Sequence, residues 1–262
     1  AREAQLADMS DVALLKRLRK SKDWLLALCE GLFAERDIQS PDLAAGLKMR
    51  IFDGTTVKEP GPTGSLWRIH FSMQLPSLQC DYFKVTETKG KGTGEGFARY
   101  PISEGDLILA DAGFATPRGI QHIHRYKAFT TVRINPNGVR LENLSGTAFD
   151  LLYEMENNLL QSGQAKCWTI RFCGHDGQGV AGRLCAVRKS KEATDRALKR
   201  LTRKSQKSGS SLLPSTLAYA PYIMLFTTFP ESRFPLEAVL ESYRIRWQIE
   251  MVFKRFKQLA QF

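Results

Sequence analysis

The stretch Leu107-Ile108-Leu109-Ala110-Asp111-Ala112-Gly113-Phe114 decides the fold. Four consecutive apolar residues without alternation read as a short strand buried on both faces, the pattern of a parallel sheet. The run ends in a carboxylate and a small-residue exit, a helix is expected from about Pro117, and Phe129 to Ile134 reads as the next strand. Strand, helix, strand implies a parallel crossover. Upstream, residues 48–87 switch to period two, clearest in Ile69, Phe71, Met73 and Leu75, with Pro60, Gly61, Pro62 and Gly64 marking a turn. An antiparallel three-stranded meander is expected there. A meander followed by a parallel unit predicts an α/β domain, a mixed sheet flanked by helices.

Further out, the chain divides into four parts. Residues 1–47 place Leu14, Leu15, Leu18, Leu25 and Leu26 at helical spacing among charges and predict an N-terminal helical segment. Residues 48–134 form the first part of the main domain. Residues 135–188 carry short strand-like runs, such as Cys167 to Phe172 and Leu184 to Val187, separated by Gly and Asn, and predict an inserted, mostly β subdomain. Residues 189–262 begin with a basic segment (Lys189, Lys191, Arg196, Lys199, Arg200, Arg203), pass the linker Ser208-Gly209-Ser210-Ser211, and return to the domain with a strand at Tyr222 to Thr228. Pro235 then opens a long helix, proline being favoured in a first turn. The chain starts without methionine and stops inside a periodic helix, so flanking segments are expected.

With 262 residues, 43% of them hydrophobic, the chain can bury a sizeable core. Lysine and arginine total 38 against 27 acidic residues, a net charge of +11 that favours a polyanionic partner. The five cysteines are scattered, with no C-x-x-C pair, which suits a reducing compartment. No apolar run approaches the length of a membrane span, and nothing at the start reads as a signal peptide. A soluble, cytoplasmic protein is expected, with no membrane partner and no small-molecule cofactor.

Two aspartates stand out. Asp53 interrupts the apolar alternation Met49-Arg50-Ile51-Phe52-Asp53-Gly54-Thr55, where a charge is costly unless paired or metal-bound. Asp111 closes the buried run and sits at the mouth of the sheet. Taken singly, an aspartate at a strand end more often caps a following helix or turn. On the last helix, Tyr243, Arg246, Glu250 and Lys257 lie within roughly 60° of one another at helical spacing and form one polar stripe. Ile249, Val252, Phe256 and Leu259 occupy a different, apolar face. By itself such a stripe could be a solvated face with a Glu250–Lys254 pair.

Taken together, Tyr243-x-x-Arg246-x-x-x-Glu250-x-x-x-x-x-x-Lys257, preceded by Asp53 in Asp-Gly-Thr and Asp111 in Asp-Ala-Gly-Phe, resembles the Y-R-E-K signature and acidic triad of the IS4 family of bacterial insertion-sequence transposases, over about residues 48 to 260. That resemblance implies a ribonuclease-H-like fold in which Asp53, Asp111 and Glu250 bind two Mg²⁺ or Mn²⁺ ions. It also implies cleavage at transposon ends in double-stranded DNA, attack on target DNA by the freed 3′ hydroxyl, and a homodimer in the synaptic complex. Tyr243, Arg246 and Lys257 correspond to DNA-contacting residues, and Trp247 to an aromatic that stabilises an unstacked base. With DNA as substrate, Arg200 and Arg203 in the basic segment become further candidate contacts. A nuclease or resolvase of the same fold would use the same acids, and a truncated DNA-binding relic would keep the fold without the chemistry.

Two other features carry less. His122, His124, Cys173 and His175 match no zinc-ligand spacing. The glycines at 90, 92, 94 and 96 lack the Lys-Ser/Thr of a phosphate-binding loop and read as a flexible turn.

Overall fold

The computed structural model describes residues 10–21, 24, 27, 48–58, 65–75, 77–88, 94–174, 177–209 and 211–259. A first helix, α1 (Asp11–Lys20), falls in the segment expected to be helical, and most of residues 22–47 lie outside the described set. Strands β1 (Met49–Lys58), β2 (Ser65–Leu75) and β3 (Cys80–Glu87) form the expected antiparallel meander. Next come β4 (Leu107–Ala110), α2 (Pro117–Arg125) and β5 (Phe129–Arg133), with β4 pairing in parallel to both β1 and β5. Thr116 caps α2 by accepting from the Gly119 amide, and Pro117 takes the first turn, where its missing N–H costs nothing.

The inserted stretch supplies β6 (Arg140–Glu142), α3 (Leu151–Asn158), β7 (Ala165–Cys173) and β8 (Gly179–Arg188). The basic segment is one helix, α4 (Lys191–Ser208), capped by Ser190 and closed by Gly209 in the left-handed conformation (φ 63). After α5 (Pro214–Ala218), β9 (Tyr222–Thr227) runs antiparallel between β5 and β8. The order is β3-β2-β1-β4-β5-β9-β8-β7-β6, one nine-stranded mixed sheet. The inserted strands therefore extend the central sheet through β9 instead of standing apart from it. The order of the first five strands and the helices on both faces give the ribonuclease-H-like α/β fold.

The last helix is two helices, α6 (Leu236–Ile245) and α7 (Trp247–Leu259). At their junction Arg246 N–H bonds to Tyr243 O at 3.1 Å and Ile249 N–H to Arg246 O at 3.2 Å. These i to i+3 bonds tighten the turn, and 3₁₀ turns of this kind inside helices often mark functional positions.

Two cores sandwich the sheet. On one face Phe52, Ile108, Ala110, Val132, Leu184 and Phe226 pack with Ile120 and Ile123 of α2 and Met155 of α3. On the other, Ile51, Leu107, Leu109, Phe71 and Met73 pack under Ile249 and Phe253 of α7. Side chains alternate between faces along a strand. Since Ile51 and Leu109 belong to the α7 face, Asp53 and Asp111, two residues further on, point the same way. Among the described residues no helix is long and apolar enough to cross a membrane.

Candidate active site

Parallel pairing sets the site. Phe52 is the register partner of Ala110, the last pair of the β1–β4 ladder, so Asp53, midway along β1, and Asp111, just past the end of β4, are the next residues on neighbouring strands. Each carboxylate accepts a nearby amide: Asp53 Oδ1 that of Gly54 at 2.7 Å and Asp111 Oδ1 that of Gly113 at 2.8 Å. Asp53 is 8% exposed. Burial raises its pKa to about 7, and the charges of Asp111 and Glu95 push the same way, against the Gly54 amide and Arg246.

The broken helix delivers the rest. Tyr243 donates its hydroxyl to the Ala110 carbonyl at 3.2 Å, pinning α6 to the end of β4, and burial pushes the phenol up to about 12. Arg246 lies 3.5 Å from Asp53 Oδ2, forms a short hydrogen bond to Glu250 Oε1, and stacks over the Tyr243 ring at 5.6 Å. Its Nε is buried with no hydrogen-bond partner among the described residues. Glu250 is half-exposed and turned to Arg246. Asp53, Asp111, Tyr243, Arg246 and Glu250 are thus gathered at one sheet edge, with Arg246 as the link between Asp53 and Glu250.

Not every expected residue is placed there. Trp247 is 54% exposed, and nothing described covers it. The Lys257 side chain lies outside the described set. Arg200 and Arg203 are on α4, exposed. Among the described residues no group of three acidic, histidine or cysteine side chains is drawn closely enough to enclose a metal ion.

One carboxylate escaped the sequence reading. Glu95, from the glycine-rich turn, reaches between Gly54 and Gly113, beside the two aspartates. A Cβ on Gly54 would lie 3.1 Å from Glu95 Oε1, and one on Gly113 would lie 3.1 Å from both Glu95 Oε2 and Asp111 Oδ1. Those contacts are tighter than ordinary packing, which accounts for glycine at both positions. Arg68 pairs with Glu95 at 3.2 Å, and burial, followed by the charge of Asp111, raises the Glu95 pKa. The available signal was a lone acid among glycines.

Residues 84–262 match the family described as the transposase DDE domain. The chain belongs to the DDE transposases. It is 31% identical over 260 residues to the transposase of insertion sequence element IS421 from Escherichia coli, covering 97% of this chain and 68% of that protein. The transposase of IS231F from Bacillus thuringiensis subsp. israelensis is 28% identical over 242 residues, covering 81% of this chain and 50% of that one. The IS4-family resemblance seen in the sequence holds. Among solved structures, the piggyBac transposase synaptic complex with hairpin DNA aligns with 95% of this chain and 48% of its own, at a TM-score of 0.47 and 11% identity.

Proposed function

We propose that this DDE transposase cuts DNA at transposon ends and joins the freed 3′ hydroxyl to target DNA, with Asp53, Asp111 and Glu250 as the acidic triad. The observation that carries the reading is the convergence of Asp53 and Asp111 with Tyr243, Arg246 and Glu250 at one sheet edge, from three segments far apart in sequence.

The donor set suits Mg²⁺ or Mn²⁺: it offers only carboxylate oxygens, with no thiolate or imidazole. Asp53 points to the same conclusion, since a carboxyl buried beside two other acids carries its full charge at neutral pH only with added positive charge nearby. Asp53 and Asp111 would hold the ions, Glu250 would complete the set, and Glu95 stands close behind. When bound, such ions activate the attacking oxygen and stabilise the leaving one.

The remaining roles belong to the chain's own groups. Arg246, with an unpartnered buried Nε, offers a phosphate a charge-assisted hydrogen bond. Tyr243 fixes the turn that presents Arg246, and its raised pKa keeps the hydroxyl protonated as a donor. Exposed Trp247 supplies a stacking surface for an unpaired base, and Arg200, Arg203 and Lys257 contact phosphates. Double-stranded DNA as partner, a homodimer in the synaptic complex and action in the bacterial cytoplasm complete the reading.

The test is cleavage of linear DNA carrying candidate transposon ends with Mg²⁺ or Mn²⁺, comparing the chain with Glu250→Gln. Metal-dependent nicking by the first and none by the second, with folding and DNA binding intact, is expected. Equal nicking by both removes Glu250 from the triad.

A further inference from the structure

Beside the acidic centre lies a second site of opposite charge. A cleft of about 620 Å³ opens next to Ala112, between the carboxyl end of β5, the first turns of α4, and α5, and its walls carry Arg133, Lys189, Arg196 and Arg200 with no carboxylate among the lining residues. Arg133 is the last residue of β5, and Arg196 and Arg200 follow each other by one helical turn. Lys189 is half-buried and anchored, its ammonium donating to the Ala220 carbonyl at 2.6 Å.

Two arginines of β8 that serve the fold are paired. Arg183 donates to the carbonyls of Phe229 and Phe234, and Arg188 to the carbonyl of Leu159. No hydrogen bond or salt bridge joins the side chains of Arg133, Arg196 or Arg200 to a described residue; the charge of Arg196 acts on Glu192, one turn before it, which does not line the cleft. Gathering four like charges around one hollow disfavours the folded state unless an anion enters. Consistent with a shared space, burial and then the charges of Arg133 and Arg200 hold the Lys189 ammonium down at about 8.

Size and position narrow the anion. The cleft is of small-ligand dimensions, fit for a single strand passing through it and not for a duplex. Its floor includes Tyr219, Tyr222 and Met224, apolar surface that suits sugar and base. Ala112 follows Asp111 directly, and the charge of Arg133 reaches both Tyr243 and Lys189. The cations therefore form a path from Arg246 past Arg133 into the cleft, along the carboxyl ends of the strands, where open α/β sheets bind their ligands.

We propose that this cleft binds a single DNA strand, with Arg133, Lys189, Arg196 and Arg200 taking successive phosphates of an unpaired segment that runs from the acidic centre past Ala112. The proposal rests on the reading of that centre as DNA-cutting and adds to it a strand-specific site.

The full chain is tested by fluorescence anisotropy, over a range of salt, on a blunt duplex and on the same duplex with an unpaired extension. The variants are Arg133→Gln/Lys189→Gln/Arg200→Gln, and Arg196→Gln/Arg200→Gln as a pair on the exposed face of α4 that leaves the core untouched. The triple variant is expected to bind the extended duplex at least about tenfold more weakly, with a salt slope smaller by about 2, as three single-strand contacts require, and the pair by about 1.4. Blunt-duplex affinity is expected to fall several-fold less than affinity for the extended duplex, since Arg200 alone among the altered residues is also a duplex-phosphate contact. Equal losses on both DNAs, or no loss on the extended one, overturn the cleft as a strand site. Displacement of the extension by deoxyadenosine monophosphate at micromolar concentration overturns it in favour of a free-nucleotide site. Failure of the underlying reading has a separate signature, the absence of Glu250-dependent cutting by the unaltered chain.

Discussion

The parallel ladder of β1 and β4 carries charge at both of its ends, and the two ends are built differently. At the amino end Arg50 is ion-paired to Asp81 at 2.7 Å and hydrogen-bonded to Asp106 at 3.0 Å and to the Pro101 carbonyl at 2.6 Å. Asp106 also accepts the Ser103 amide at 3.0 Å. At the carboxyl end Asp53, Asp111 and Glu95 share Arg246, at 3.5 Å from Asp53, and Arg68, at 3.2 Å from Glu95. At the first end the charges balance, Arg50 and Lys48 against Asp81 and Asp106. The other holds more negative charge than its arginines match. The same strands thus carry a structural charge cluster and, in the proposed reading, a chemical one, and charge balance tells them apart.

The sharpest way to break this comparison is to remove Arg50. Arg50→Ala leaves Asp81 and Asp106 buried without their cation, and a loss of about 3–5 kcal/mol is expected in urea unfolding. A loss under about 1 kcal/mol would show that the amino-end cluster is not structural.

Asp53 should respond in the opposite sense. Its pKa is raised from 3.8 to about 7, so the folded protein binds more protons than the unfolded chain between those values. Stability from this group is complete below about pH 4 and is lost as pH rises through about 7. A fall on the order of a few kcal/mol across that window is expected, with Asp53→Asn flattening it. Added Mg²⁺ should restore stability more at pH 8 than at pH 5. An unchanged pH profile in Asp53→Asn would assign the burial penalty elsewhere.

Smaller effects follow at the edges of the site. Gly113→Ala forces a Cβ to 3.1 Å from the Asp111 and Glu95 carboxylates. A cost of about 1 kcal/mol is expected, with a larger fractional loss of DNA cutting than of stability. Glu250→Gln should move stability by less than about 0.5 kcal/mol, since its bond to Arg246 is a half-exposed i, i+4 pair. A stability change above 1 kcal/mol would place Glu250 with the structural cluster.

Much of this was legible in the sequence because period and chemistry coincide there. Alternation exposed β2, the unbroken apolar run exposed β4, and Asp53 and Asp111 stood out as charges where each pattern demanded an apolar residue or an end. The Tyr243–Arg246–Glu250 stripe was visible because helical spacing is rigid. Glu95 was not, since a turn has no period and its approach to Gly54 and Gly113 exists only in three dimensions. The cleft around Arg133 and Lys189 was hidden for a related reason. A charge run shows that α4 is basic, while the wall facing it comes from strand ends remote in sequence. The helix break at Arg246 is set by a three-residue hydrogen-bond pattern that Ile245-Arg246-Trp247 does not announce.

The position of β9 has a consequence in time. It bonds to β5 through Thr131↔Thr227 and to β8 through Arg183↔Thr227, so it is the clasp between the sheet's two halves. Contacts this distant along the chain form slowly, because loop closure precedes the gain from pairing. Until β9 is seated, α6 has no floor of Leu225 and Cys185 under Val239. The two aspartates can therefore stand ready on a half-finished sheet, and the arginine and glutamate reach them only when folding is complete. In the proposed reading, assembly itself acts as the safety catch on the chemistry.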